Sequence, residues 1–290
     1  MLRKLCIFGC VLFGVLLLTY VVWVLIAWNR KATISVDYIA LLNETSATVP
    51  ENDRAWPLYR DAGIALRKNP EPSSFSEDIY DDMDAPTWPD QAGWEYYKTW
   101  IDSHVQTLDT IHRAAAMDGM GYVLVGMIAE EDKELWPDQY ASQKDLDQSD
   151  EFFFSVLTPQ FGPMRAMARF LSIDAKNAAF NGDIERCLSD IEMMLAIGTH
   201  VREHPLLISD LVSFSIYKIA FLTLHEIMEH DSSLFSLEQL DKLTRVLQGV
   251  EKNLKIRFDG ERMFFLDFLQ RVYTDDGNGD GSMIPIEMTS

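Results

Sequence analysis

Between residues 51 and 273, apolar positions return at three- and four-residue steps. This is the period of helices that bury one face. Trp56, Tyr59, Ala62 and Leu66 trace one such face on a helix that Asn52 is placed to cap and that extends to about Lys68. Trp94, Tyr97, Ile101, His104, Leu108 and Ile111 trace a second over about 91–117. Ala166, Phe170, Ile173 and Phe180 mark a third over 164–180, which Asn181-Gly182-Asp183 interrupts. There Gly supplies the left-handed C-terminal conformation and Asp caps the partner helix over 184–202. Further helices are expected near 206–229, 236–250 and 251–273, with Ser236 and Gln239 spaced as a capping box. The segment 69–90 carries four prolines and is expected as a loop. The apolar run 122–128 suits a helical turn or a strand, and 129–151 suits an acidic loop with one broken helix. Alternating Val, Ile and Thr are nearly absent, so the expected fold class is all-α, helical hairpins packed side by side.

A different pattern occupies the N-terminus. Leu5 to Trp28 is a 24-residue apolar run whose one clearly polar member is Thr19. As a helix it would extend roughly 36 Å, enough to cross a hydrocarbon core of about 30 Å. Tyr20, Trp23 and Trp28 cluster toward its far end, as interfacial rings do. The run exceeds the apolar region of a cleavable signal, and Ile26-Ala27-Trp28 is a poor cleavage site, so an uncleaved signal anchor is expected. Two basic residues flank each side, and the free amine tips the orientation toward a cytoplasmic N-terminus and an extracytoplasmic body. Gly9 and Gly14 are five apart, which does not give the G-x-x-x-G dimer pattern. The resulting division is an anchor over 1–31, a juxtamembrane linker over 32–50, a helical domain over 51–273 and a C-terminal loop and tail over 274–290.

Charge sharpens this division. The whole chain of 290 residues carries a net −20, yet residues 1–31 hold four basic residues and no acid. The acidity therefore belongs to the body, which argues against nucleic acid as a partner. Of three cysteines, Cys6 and Cys10 fall in the apolar run, so Cys187 is left without an intramolecular disulfide partner. It lies mid-helix among apolar residues, where packing is its expected role. Asn43-Glu44-Thr45 spells a glycosylation sequon, relevant in a host that glycosylates. Trp56, Trp88, Trp94, Trp100 and Trp136 are expected in the core.

The most specific motif is Asp276-Gly277-Asn278-Gly279-Asp280-Gly281, followed by five residues and then Glu287. It resembles the calcium loop of EF-hands. The resemblance implies that Asp276, Asn278 and Asp280 supply side-chain oxygens, Ser282 its carbonyl and Glu287 two carboxylate oxygens, with Gly281 at the sharp turn. Met283 stands where that family usually has a branched apolar residue, and Phe264, Phe265, Phe268, Leu269 and Val272 are available on the incoming helix. Three residues follow Glu287 and Pro285 stiffens the loop, so a paired, calmodulin-like sensor is not expected. A weak structural calcium site, with affinity on the order of 0.1–1 mM, is.

Two segments imitate zinc peptidases. His200-Val201-Arg202-Glu203-His204 fits H-x-x-E-H, with both His expected on one helix face and Glu203 as general base. Pro205 follows directly and no third ligand is identifiable, although Glu226 and Glu229 lie downstream. The reading requires that the two His side chains do not diverge and that a third carboxylate or His approaches within ligand distance. His225 and His230 are five apart, about 140° round a helix, so they cannot chelate together; Glu226 and His230 suit an i,i+4 pair instead. No nucleophile elbow, Walker loop or dinucleotide fingerprint is present.

The 164–202 hairpin resembles a tetratricopeptide-type unit, without a second copy at a fixed period. The layout as a whole, with Trp56-Pro57-Leu58-Tyr59 and the 274–281 segment, resembles membrane-anchored helical envelope proteins of bacteria and supplies no activity. The leading expectation is a non-catalytic interaction or scaffolding domain, held to the lipid bilayer through residues 5–28, with one calcium-stabilised loop and a protein partner. The alternative is a zinc-dependent hydrolase. A scaffold requires an exposed apolar or aromatic surface on the body.

Overall fold

The computed structural model describes residues 12–22, 24–25, 34–72, 87–143, 153, 156–251, 254–273, 281 and 283. Among these every regular element is helical, and the β contacts are two isolated bridges, Arg54–Gly119 and Tyr273–Met283. The chain divides into two compact units, one formed by residues 1–38 with 262–290 and the other by 39–261.

In the first unit, α1 (Leu12–Val22) is the described part of the apolar leader, and its side chains are exposed. At 11 residues, the described helix is shorter than a membrane span. Most of α12 (Asp259–Val272) also lies here. Its Gln270 amide accepts from the backbone N–H groups of Ser35 and Val36, both at 3.2 Å, and donates to Val36 O at 2.8 Å. Asp267, buried, pairs with Arg271 one turn on.

The second unit is built on α8 (Phe161–Phe180), α9 (Ile184–Val201) and α10 (Leu207–His230), which pack on one another. Gly182 takes φ +77° and Asp183 accepts from Arg186 N at 3.2 Å, so the α8–α9 turn forms as its sequence requires. Ser172 meets Thr223 at 2.6 Å and Lys176 pairs with Glu226, so α8 and α10 run in the same direction with α9 between them in sequence. Around this core, α4 (Trp56–Lys68) packs on α6 (Val105–Ala115) and α8. α6 packs on α9, α5 (Trp94–Ser103) on α8, and α11 (Leu237–Glu251) on α9. Shorter helices α2 (Tyr38–Leu42), α3 (Glu44–Thr48) and α7 (Pro137–Ser142) complete the set. The five tryptophans named above are all buried, with Trp56 stacked on Trp136 and Trp100 edge-on to Phe170. The Ser236–Gln239 capping box forms reciprocally, at 2.9 and 3.3 Å.

Three expected boundaries move, each for a visible reason. Asn52 does not cap α4; its first N–H groups are met from outside, since Ala55 N donates to Gly119 O and Trp56 N to Met120 O. The expected helix over 91–117 is two helices, because the chain breaks at His104, whose Nδ1 reaches back to Trp100 O at 2.8 Å. The expected helix over 251–273 starts at Asp259. Arg257 cannot be helical there, because its backbone N–H and guanidinium all turn to the buried carboxylate of Asp210. Arg202 joins the same carboxylate at 3.0 Å.

The run 122–128 is neither helix nor paired strand. It forms no regular element, and side-chain amides take the place of a neighbouring strand. Asn43 accepts from Leu124 N at 2.8 Å and donates to Leu124 O at 2.7 Å. Gln143 does the same for Ile128, at 2.5 and 2.6 Å. Both amides are buried, so the sequon asparagine is part of the core rather than the surface. A carboxamide carries one donor side and one acceptor side, which matches a peptide unit.

Candidate functional site

The H-x-x-E-H segment lies at the C-terminal end of α9 and in the turn after it. The two His rings are engaged by different parts of the body. His200 Nε2 lies 2.9 Å from Met117 O, and its Nδ1 lies 2.8 Å from the Tyr59 hydroxyl on α4. A carbonyl can only accept, so Nε2 bears the proton and Nδ1 accepts from Tyr59. Burial lowers the pKa of His200 and raises that of Tyr59 well above its ordinary value, so both remain neutral. Each nitrogen of His200 therefore already has a protein partner.

His204 turns to α3. Ser46 donates to Glu203 Oε2 at 2.9 Å, and having one proton it must accept from His204 Nε2, also at 2.9 Å. His204 is fully buried and its Nδ1 has no hydrogen-bond partner. Burial first, and then the charge of Arg257, push the pKa of His204 down to about 4.

Glu203 sits in a cradle of backbone N–H groups. Gly121 N donates to its Oε2 at 2.8 Å, and the N–H groups of Met120 and Tyr122 also favour the carboxylate. Burial outweighs them and raises its pKa. The cradle needs glycine at 121, where φ is +64° and a Cβ would lie 2.3 Å from Arg54 Cγ.

This geometry holds residues 117–124 between α3, α4 and the end of α9. Ser46 and His204 are within the reach of a nucleophile and its base. The acid, however, bonds to the serine rather than orienting the imidazole, and Ser46 is fully buried. Nor does the segment have the geometry of a zinc centre. Among the described residues, no group of three or more His, Cys, Asp or Glu is arranged to hold a metal. The downstream segment is used differently again. His225 faces Glu229 at 3.5 Å, Glu226 pairs with Lys176, and His230 stacks on Trp88 with centroids 3.9 Å apart, so the expected Glu226–His230 pair gives way to these. Cys187 is buried, and burial pushes its thiol up to about 12, which suits packing rather than attack.

Of the calcium-loop positions, Asp276, Asn278, Asp280, Ser282 and Glu287 all lie outside the described residues. Gly281 and Met283 are described, and Met283 forms an antiparallel bridge with Tyr273. That bridge ties the end of the incoming helix to the eighth position of the loop. An open hollow of about 540 Å³ is lined by Arg60, Asp61, Glu130, Lys133 and Glu134, where opposite charges face each other without a converging set.

The surface feature that sequence reasoning did not single out is the outer side of α10. Ile208, Leu211, Phe221, Leu222 and Met228 are exposed there, on a helix whose other side is core. α10 is the one helix among the described residues long and apolar enough to cross a membrane, but Ser209, Asp210, Ser213 and Thr223 are buried on its inner side. The signal was its near-uniform hydrophobicity, which suits a helix covered all round. In comparisons with known proteins, no family model, no curated protein and no solved structure matches the chain.

The site yields a pH prediction. His204 has a folded pKa below its unfolded value of about 6.5, so the stability it contributes is present above that pH and is lost as pH falls toward about 4. The loss is on the order of 3 kcal/mol. His204→Gln keeps a donor for Ser46 and does not titrate. Its melting temperature is expected to fall less steeply than wild type over this acid range; parallel curves would refute the assignment.

Proposed function

We propose that the protein is a membrane-anchored, non-catalytic interaction domain. In this reading residues 5–28 lie in the bilayer, with the N-terminus in the cytoplasm and the body outside it. The observation that carries the proposal is the outer side of α10. Ile208, Leu211, Ser215, Lys218, Leu222 and His225 follow one another at alternating three- and four-residue steps. That is the spacing of a seam against another helix. The next step along it is Glu229, which faces His225, and Lys218 is exposed at its middle. The occupant this fits is a helix of a partner protein with an apolar contact face and an acidic residue opposite Lys218. The hydrogen-bonded state of His200, Glu203 and His204 supports the non-catalytic reading, since His200 bonds to Tyr59 and to Met117 O while Glu203 and His204 both bond to Ser46.

Photocrosslinking in cells tests this with the full chain. A benzophenone side chain at position 222 is expected to capture one protein. Lys218→Glu should reduce the adduct at least tenfold, and reversing the facing acid of the captured protein should restore it. Adducts with lipid or with a second copy alone, no adduct, or insensitivity to Lys218→Glu would each overturn the proposal.

We also propose that Asp276, Asn278, Asp280, Ser282 and Glu287 hold a structural calcium ion. The Tyr273–Met283 bridge supports a closed loop at this place. Millimolar calcium is expected to raise the melting temperature of the full chain, and Asp276→Ala with Asp280→Ala to abolish the rise. No shift in the wild-type protein would remove the site.

A further inference from the structure

A second polar cluster lies where α6 meets the α8–α9 hairpin. Asp174 on α8 and Asp190 on α9 are both fully buried. Arg186, one turn before Asp190, binds both oxygens of Asp174, at 2.7 and 2.5 Å. His112 on α6 reaches across with Nε2 2.6 Å from Asp190 Oδ1, and its Nδ1 lies 3.3 Å from Ser189 Oγ. The His112 side chain is 25% exposed, so the cluster communicates with solvent through it.

Counting donors and charges leaves one gap. A neutral His112 carrying its proton on Nε2 donates to Asp190 Oδ1 and accepts from Ser189. Asp190 Oδ2 then has no donor of its own, and it faces the carboxyl of Asp174. Two buried carboxylates against one guanidinium would also leave a negative charge unpaired, which is costly in a low dielectric. A single proton on Oδ2 closes both gaps: it donates to Asp174 and leaves the Asp174–Arg186 pair as the sole charges. Burial, the charge of Asp174 and the hydrogen bond to it all hold Asp190 well above the ordinary carboxyl range, with Arg186 opposing and Asp183 adding to the rise. Burial lowers His112 in the same cluster, where Asp174 and Asp109 oppose it and Arg186 adds to it.

We propose that Asp174 and Asp190 share one proton and that this proton makes the joint between α6 and the α8–α9 hairpin a pH-sensitive lock. With the proton in place, His112 on α6 docks on a neutral Asp190. Once it is lost, two carboxylates repel beneath the same imidazole. The sign follows from proton counts. In the unfolded chain Asp190 titrates near 3.9 and His112 near 6.5. Below about pH 6.5 the unfolded form holds a proton on His112. Above about pH 6.5 the unfolded form has lost its proton and the folded form has not. Stability then falls with rising pH until the pair ionises. Asp190→Asn supplies a permanent N–H in place of the proton and removes this dependence.

The test is the pH dependence of unfolding of the full chain, wild type against Asp190→Asn, from about pH 7 to about pH 9. The ratio of the two unfolding constants is expected to change with rising pH by up to about tenfold per pH unit, to the detriment of wild type. Difference infrared spectroscopy of the wild type is expected to show a protonated carboxyl at neutral pH that disappears on alkalinisation as amide exchange in α6 accelerates. This second measurement stands alone if the variant does not fold. Identical pH profiles for the two proteins, or no protonated carboxyl at neutral pH, would overturn the proposal.

Discussion

The structure depends on how backbone outside the helices satisfies its hydrogen bonds without a sheet. Residues 119–128 form no regular element and are mostly buried, so their buried peptide groups need partners. Side chains and a helix end provide them. Asn43 and Gln143 pair with Leu124 and Ile128 as a neighbouring strand would, and Glu203 collects the N–H groups at 120–122. The exposed N–H groups at the start of α4 take the carbonyls of Gly119 and Met120. In the other unit, Gln270 does for residues 35–36 what Asn43 does for Leu124. An all-helical chain thereby buries irregular segments at low cost.

The same logic explains how motif-like residues come to serve as joints between elements. A histidine whose two nitrogens are both bonded is a structural joint, and His200 joins α9 to α4 and to the carbonyl of Met117. His204 and Glu203 meet at Ser46 and fix α3 beside them. On the outer side of α10 apolar area remains uncovered. The acid pair beneath His112 adds a titratable element to the joint that holds α6.

Much of the helical frame was legible in the sequence. Periodicity located α8, α9 and α10 to within a few residues, and the turn chemistry of Gly182 and Asp183 located the hairpin between them. The boundaries that moved were decided by distant partners. Nothing local to Arg257 says that Asp210 will claim it, and nothing local to Trp56 says that Gly119 will cap its helix. Of the candidate site, the H-x-x-E-H spelling was visible, but its partners Ser46, Tyr59 and Met117 lie 80 or more positions away. Asp174 and Asp190 did leave a local trace. Asp174 falls at helical spacing with Met167, Phe170, Leu171 and Ala178, and Asp190 with Cys187, Ile191 and Met194, so both acids occupy buried register. Acids in such positions mark a polar cluster in the core.

The claim that amide side chains stand in for a strand is tested most directly by hydrogen exchange resolved at single residues. The N–H groups of Leu124 and Ile128 are expected to be protected to the level of the α8–α9 core, and Asn43→Ala to release Leu124 selectively. Exchange of both at the rate of an open loop in the wild-type protein would contradict the account.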